Sequence, residues 1–162
     1  MHQAMQVRTD LRLPSPFQIG VVVTNVERAV RHYASVFGIG PFKIYDFVPD
    51  KHWYMEEPSY IKFRMGKASW GNLELELIEP LEGKSIHREF LDSNGEGVQH
   101  LGFAVNDFEM AYDRFLKAGF RPTMRAETAV GAYKGYLKAC YFDTRSVGGI
   151  VFEIIWKSWE NS

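Results

Sequence analysis

The stretch HLGFAVNDFEMAY, His100 to Tyr112, lays onto QIGVVVTNVERAV, Gln18 to Val30, without a gap. The overlay pairs Gly102 with Gly20, Val105 with Val23, Glu109 with Glu27 and Ala111 with Ala29. In both copies a short apolar run passes into a helical period behind a capping residue. Identical letters are few. Working outward from each copy, however, the order of expected elements is the same, which is how an internal duplication reads.

One residue of the stretch is odd. Strand alternation puts Leu101, Phe103 and Val105 on one face, and Val98, His100, Gly102 and Ala104 on the other. A histidine among small residues reads either as a core residue with a satisfied hydrogen bond or as a ligand aimed into an open space.

The remaining elements follow the duplication. Residues 17–23 form the first expected strand. Val26, Ala29, Val30, Tyr33 and Phe37 then fall at helical spacing, with Asn25 as N-cap and Gly38 as stop. Three strands are expected at 42–48, 59–66 and 72–79, and a short helix at 84–91. In the second half a strand at 98–105 precedes a helix capped by Asp107 and ended by Gly119, and strands follow near 120–126, 135–143 and 149–156. The expected fold is α+β: two tandem βαβββ modules form a partly closed mixed sheet around a cavity, with helices outside. The expected organisation is a leader (1–15), a first module (16–82), a connecting helix and loop (83–96), a second module (97–157) and a tail (158–162).

The overlay sets Gln18 opposite His100. The last strands of the halves match as well, LELELIE against IVFEIIW, and pair Glu76 with Glu153. Each glutamate points away from its apolar flanks, Leu75 and Leu77 or Phe152 and Ile154. Glu74 is expected on a solvent-facing surface. Two carboxylates buried without partners would each cost several kcal/mol. A divalent cation bound by Gln18, Glu76, His100 and Glu153 resolves all four residues together. One nitrogen and three oxygens suit Zn, Ni, Co, Mn or Mg rather than copper(I) or an iron–sulfur cluster. Four ligands on a six-coordinate ion leave two positions for a substrate that presents two oxygens. Chelation polarises a carbonyl and acidifies its α-proton. Glu153 or Glu76 could move that proton.

Composition narrows the classes. The chain has 162 residues, 46% of them apolar and 24% charged, with a net charge of −1, an ordinary globular balance that gives no basic surface for nucleic acid. Cys140 is the only cysteine; it precludes an intrachain disulfide, fits a reducing compartment and reads as core packing. No apolar run approaches the ~18 residues of a membrane span, and the leader does not read as a signal peptide. A cytoplasmic protein without nucleic-acid or membrane partners is expected.

The paired modules and the Gln18, Glu76, His100, Glu153 pattern resemble the vicinal oxygen chelate superfamily, which includes glyoxalase I, methylmalonyl-CoA epimerase, extradiol dioxygenases and drug resistance proteins. The resemblance spans residues 16–156. LELIEPLEG (75–83), REFLDSNGEGVQHLGFAV (88–105) and RSVGGIVFEI (145–154) are similar to the epimerase branch in particular. That resemblance implies racemisation of a 2-acyl-CoA thioester through a metal-stabilised enolate, and a homodimer. Gln18 departs from the branch, where histidine is usual. The four-residue set looks instead like that of animal-type glyoxalase I, a lactoylglutathione lyase acting on a glutathione hemithioacetal, although the glyoxalase-type DPDGYWIE ending is absent. Epimerases carry a second acid/base glutamate in the first module; in YDFVPDKHWYMEEPSY (45–60) Asp46, Glu56 and Glu57 are the candidates. A non-catalytic drug-binding protein is a further reading, which the complete ligand set disfavours. An iron-dependent dioxygenase would want two histidines. Trp53 and Tyr54 are expected in a long loop, His32 and His87 on solvated helix faces, and Trp156 and Trp159 over the core or a dimer contact.

Overall fold

The computed structural model describes residues 10–130 and 135–158. Residues 1–9 of the expected leader and residues 159–162 of the expected tail, with Trp159, lie outside the described residues. The elements are β1 (Gln18–Val22), α1 (Val26–Phe37), β2 (Lys43–Phe47), β3 (Lys51–Tyr54), β4 (Glu57–Pro58), β5 (Lys62–Trp70), β6 (Leu73–Glu82), α2 (Ile86–Asn94), β7 (Gly97–Ala104), α3 (Phe108–Lys117), β8 (Pro122–Val130), β9 (Gly135–Phe142) and β10 (Val151–Ser158). Among the described residues no helix is long and apolar enough to cross a membrane.

The helices begin where their caps dictate. Asn25 Oδ1 accepts from the Arg28 N–H at 2.7 Å, and Asp107 Oδ1 accepts from Met110 at 2.9 Å, satisfying N–H groups that a first turn leaves without intrahelical partners. Gly38 ends α1 in the left-handed region at φ 68°, which glycine adopts without Cβ strain. Glu79 Oε2 on β6 also accepts from the Val26 N–H at 2.9 Å, tying the start of α1 to the sheet.

The strands form one mixed sheet in the order β2-β5-β6-β1-β7-β10-β9-β8-β3-β4. Strand β1 runs parallel to β6, β7 runs parallel to β10, and β1 meets β7 antiparallel at the centre. The two halves are thus the same arrangement turned about the β1/β7 seam. The sheet curls into a half-barrel. On the outer face of the first half, Val21, Val23, Leu75 and Leu77 pack against Val26 and the apolar stripe of α1. On that of the second half, Cys140, Phe142 and Ile154 pack against Phe108 and Phe115 of α3. Phe63, Met65, Met124, Tyr141 and Val151 form an inner core. Cys140 is a packing residue, its thiol pushed up by burial.

Residues 51–58 depart from the expected loop. They fold as the β3–β4 hairpin, and β3 pairs antiparallel with β8 of the other half, Lys51 opposite Glu127 and Tyr54 opposite Met124. His52 is buried, with Nδ1 2.7 Å from Ser59 Oγ, and Trp53 stacks on the Arg125 guanidinium at 4.3 Å. Because β2 and β3 lie at opposite ends of the curled sheet and only Val48, Pro49 and Asp50 join them, the chain itself links the two edges.

Candidate metal centre

Four central strands bring the expected ligands together by register. Glu76 on β6 lies beside Gly20 on β1, which lies beside His100 on β7. One step along, Glu74 lies beside Gln18, Gln18 beside Gly102, and Gly102 beside Glu153 on β10. Residues opposite one another in a sheet point to the same face. The two rows therefore aim Gln18, Glu76, His100 and Glu153 inward at one place, with Gln18 and His100 each flanked by a glycine of the other half and Glu76 and Glu153 by one of their own. The glycines are occupied space rather than open space. A Cβ on Gly20 would lie 1.8 Å from His100 Cε1, and one on Gly102 would lie 2.8 Å from Gln18 Oε1. Each module's ligand thus folds over the other module's glycine.

All four residues are buried, His100 completely. His100 Nε2 is 3.3 Å from Glu76 Oε2 and 3.4 Å from Glu153 Oε2. Four of their polar atoms are buried without a hydrogen-bond partner: Gln18 Oε1, Glu76 Oε2, His100 Nε2 and Glu153 Oε2. Buried polar atoms are nearly always paired, so four orphans on one set of residues mark a place for something positive. Ligands at 2.0–2.2 Å in octahedral geometry sit about 3 Å apart along an edge, close to the separations here. The Glu76–His100–Glu153 group could hold a metal ion, and Gln18 Oε1, buried and unpartnered on the same face, is an oxygen of a type that suits a borderline or hard dication.

The other polar atoms of Gln18, Glu76 and His100 are held by neighbours. Gln18 Nε2 donates to Glu74 Oε1 at 2.8 Å, which turns its carbonyl oxygen away from that carboxylate. Lys67 Nζ is 3.0 Å from Glu76 Oε1 and 3.4 Å from Glu74 Oε1. Glu153 stands opposite Tyr141, its cross-strand neighbour on β9. Gln99 Nε2 donates to the Ile86 carbonyl at 3.1 Å, so Gln99 Oε1 is the acceptor for the Nδ1–H groups of His100 at 3.1 Å and His87 at 2.6 Å. That fixes the tautomer of His100 with its Nε2 lone pair toward the carboxylates, as partners behind metal-bound histidines do.

Charge follows from these contacts. Burial pushes Glu153 up to about 7, with the neighbouring Glu76 adding to the rise. Burial works the same way on Glu76, but the Lys67 ammonium beside it holds the carboxyl well below the usual range. Burial depresses His87 to about 3 and His52 to about 4, so both are neutral imidazoles.

The rows open onto a cavity of about 160 Å³ between the two halves of the sheet. Gln18, Lys67, Glu76 and Glu153 form its polar part. Phe17, Tyr45, Phe47, Phe63 and Met65 line it from one half, and Met124, Ala126, Leu137, Ala139, Tyr141 and Ile155 from the other.

Residues 17–141 match the sequence pattern of the Glyoxalase/Bleomycin resistance protein/Dioxygenase superfamily. The chain belongs to that superfamily. No curated protein sequence matches it. Among solved structures, methylmalonyl-CoA epimerase from Mycobacterium tuberculosis is similar at a TM-score of 0.61 and 19% identity, over 96% of this chain and 95% of that one. A variant Streptomyces coelicolor methylmalonyl-CoA epimerase in complex with 2-nitronate-propionyl-CoA is similar at 0.60 and 20%, over 89% and 97%. A hypothetical protein from Bacillus halodurans is similar at 0.61 and 19%, over 91% and 96%. At these identities the likeness is one of fold.

Within this superfamily member the expected second acid/base is not brought to the centre. Tyr45 and Phe47 point into the cavity, so Asp46 between them points out of the sheet, where it pairs with Arg64 at 2.7 Å and Lys62 at 3.3 Å. Glu56 and Glu57 are exposed on the β3–β4 hairpin. Glu74, expected to face solvent, stands on the inner face beside Gln18. His87, expected on a solvated face, is fully buried against Phe63 and Tyr141; His32 is exposed as expected. Val98, expected on the face of His100, is exposed because β7 bulges at Gln99 and shifts the alternation by one residue. Lys67, Tyr45 and Gln99 are the inner-face groups that sequence reasoning missed. The run FRMGK, with Phe63, Met65 and Lys67 alternating, carried a signal for the lysine.

Proposed function

We propose that the protein is a divalent-metal-dependent enzyme that moves a proton at the carbon α to a chelated carbonyl, and that its substrate is an acyl thioester of the kind racemised by methylmalonyl-CoA epimerases. Residues 16–82 and 97–157 would be the two modules that share the centre. Gln18, Glu76, His100 and Glu153 would hold the ion. The single observation that carries this reading is the convergence of four buried, unpartnered donor atoms on residues from both modules.

When bound, the ion supplies Lewis-acid polarisation of the chelated carbonyl and so makes the α-proton more acidic. The protein's own part is positioning and proton handling. Glu153, on the cavity surface beside Tyr141, is the carboxylate placed to take and return the proton. The apolar walls exclude water, which strengthens the charge interactions inside and protects a carbanionic carbon from stray protons. Epimerisation needs a proton delivered to the opposite face. Among the described residues, the groups on the cavity surface with exchangeable protons besides Glu153 are Tyr45, Tyr141, Gln18, Lys67 and Lys157.

The deciding experiment is solvent deuterium incorporation at the α-carbon of methylmalonyl-CoA, run on cobalt- or nickel-loaded protein beside an assay with methylglyoxal and glutathione. Washout from the thioester alone supports the reading. Gln18 in the first ligand position favours glyoxalase I chemistry as the second reading, and turnover of the hemithioacetal alone would establish it. Activity on neither substrate would overturn both.

A further inference from the structure

Among the described residues Lys67 and Lys157 are the cations that line the cavity, and Lys67 is the one paired with Glu76. It sits directly across the β5/β6 ladder from Glu76, and its Nζ lies 3.0 Å from Glu76 Oε1 and 3.4 Å from Glu74 Oε1. Its side chain also lines the cavity surface beside Tyr45, on the side from which a chelating molecule would approach. Glu74 also accepts from Gln18, whereas Lys67 is the cation that holds Glu76 ionised. The ammonium is half-buried, and the two carboxylates return the cost of that burial; its place on the cavity surface as well calls for an explanation beyond that pairing.

The charge balance of the filled centre supplies one. Glu74, Glu76 and ionised Glu153 carry three negative charges. A dication and the Lys67 ammonium carry three positive ones, and the neighbouring His87 is neutral. With the lysine the loaded floor has no net charge and retains positively charged groups on its cavity side. Without it the floor would be net negative and would repel an oxyanion.

We propose that Lys67 is a substrate-anchoring residue: its ammonium takes the negative oxygen of a chelating substrate, or of the enolate it forms, and so selects molecules that carry or develop an anionic oxygen beside the chelated carbonyl. The proposal rests on the metal-centre reading above and adds to it the charge class of the ligand. A hydrogen bond to a charged group, lost on removing the ammonium, corresponds to roughly 10- to 100-fold in affinity.

The test uses oxalate, a planar dianion with two vicinal oxygens, titrated calorimetrically into cobalt-loaded protein under conditions where dialysis shows the metal retained. The parent, K67M and K67R are compared, with K67Q in place of K67M should the latter unfold. All are expected to hold one cobalt. Oxalate is expected to bind the neutral variant roughly 10- to 100-fold more weakly and K67R within a few-fold of the parent. Equal oxalate affinity in the parent and the neutral variant would overturn the anchoring role alone. A folded neutral variant that loses cobalt would show instead that Lys67 only holds Glu76 in place, and would overturn it too. A parent protein that binds no cobalt would overturn the metal reading itself, and this assignment with it.

Discussion

His100 lies directly over Gly20: a Cβ at residue 20 would stand 1.8 Å from Cε1 of the ring. The glycine is set by the histidine from the other half of the chain, across the antiparallel β1/β7 seam. Gly102 stands in the same relation to Gln18, but there the encroaching atom is the end of a flexible amide, at 2.8 Å. The asymmetry gives a prediction. Gly20→Ala must push a rigid, fully buried ring out of place, at an overpacking cost of about 1–3 kcal/mol. It should lower the unfolding midpoint and abolish stoichiometric cobalt binding. Gly102→Ala should weaken cobalt binding while leaving stability closer to the parent. Denaturant titration and metal analysis of the two variants check both. Equal behaviour would show that the ring has room to move.

Gln99 holds two histidines with one carbonyl oxygen. Replacing it by leucine leaves the Nδ1–H groups of His87 and His100 without an acceptor in a dry interior. Each buried unsatisfied donor costs about 1–3 kcal/mol. Loss of the partner behind a metal-bound histidine typically weakens metal affinity 10- to 100-fold. Gln99→Leu should therefore lose both stability and cobalt affinity. His87→Phe removes only the outer member of the pair, and should keep most of the metal affinity. Competition titration against a chelator distinguishes them.

Acid should destabilise the metal-free protein with a slope set by three buried groups. His87 and His52 have folded values near 3 and 4, below the ordinary 6.5 of histidine. Between pH 5 and 6 the unfolded chain therefore takes up two protons there that the folded chain refuses, and stability falls as pH falls. Glu153 works in the opposite sense. Raised to about 7 from an ordinary 4.5, it is protonated in the folded chain and ionised in the unfolded one over the same window. The net is one extra proton on the unfolded state, a loss of about 1.4 kcal/mol per pH unit of acidification. Glu153→Gln removes the opposing proton and should steepen the loss to about twice that. Urea unfolding at pH 5.0, 5.5 and 6.0 measures the slopes.

The duplication, the helix caps and the inward set of Gln18, Glu76, His100 and Glu153 are legible in the sequence because each depends on local period. Alternation alone decides which face of a strand a residue takes, and the overlay of the two halves aligns the strands that matter. What is not local was not legible. The pairing of β3 with β8 joins residues of different halves, and nothing within KHWY names its partner strand. The bulge at Gln99 inserts a residue and breaks the period, so alternation puts Val98 on the wrong face and gives no sign of Gln99 beside His100. Lys67 gains its meaning only from standing across the ladder from Glu76. Residue type alone favours Asp46, but the inward alternation of Tyr45 and Phe47 around it turns it outward.

Glu153 carries the proton-transfer role in the proposed reaction, and its replacement separates that role from the fold. Glutamine keeps the side-chain volume and still stands opposite Tyr141. It no longer brings a negative charge to a buried site beside Glu76 and His100, so the metal-free fold should tolerate it. As a metal donor it resembles Gln18, so cobalt should still bind, more weakly. What it cannot do is accept a proton. Glu153→Gln should therefore lower α-proton exchange by roughly 100- to 10,000-fold, the usual contribution of a positioned general base, at cobalt concentrations that saturate the variant. Asp46→Asn serves as the comparison: its carboxylate sits on the opposite face of β2, paired with Arg64 and Lys62, and exchange should be unchanged. Exchange retained by the Glu153 variant, or lost in the Asp46 variant, would move the base to another residue.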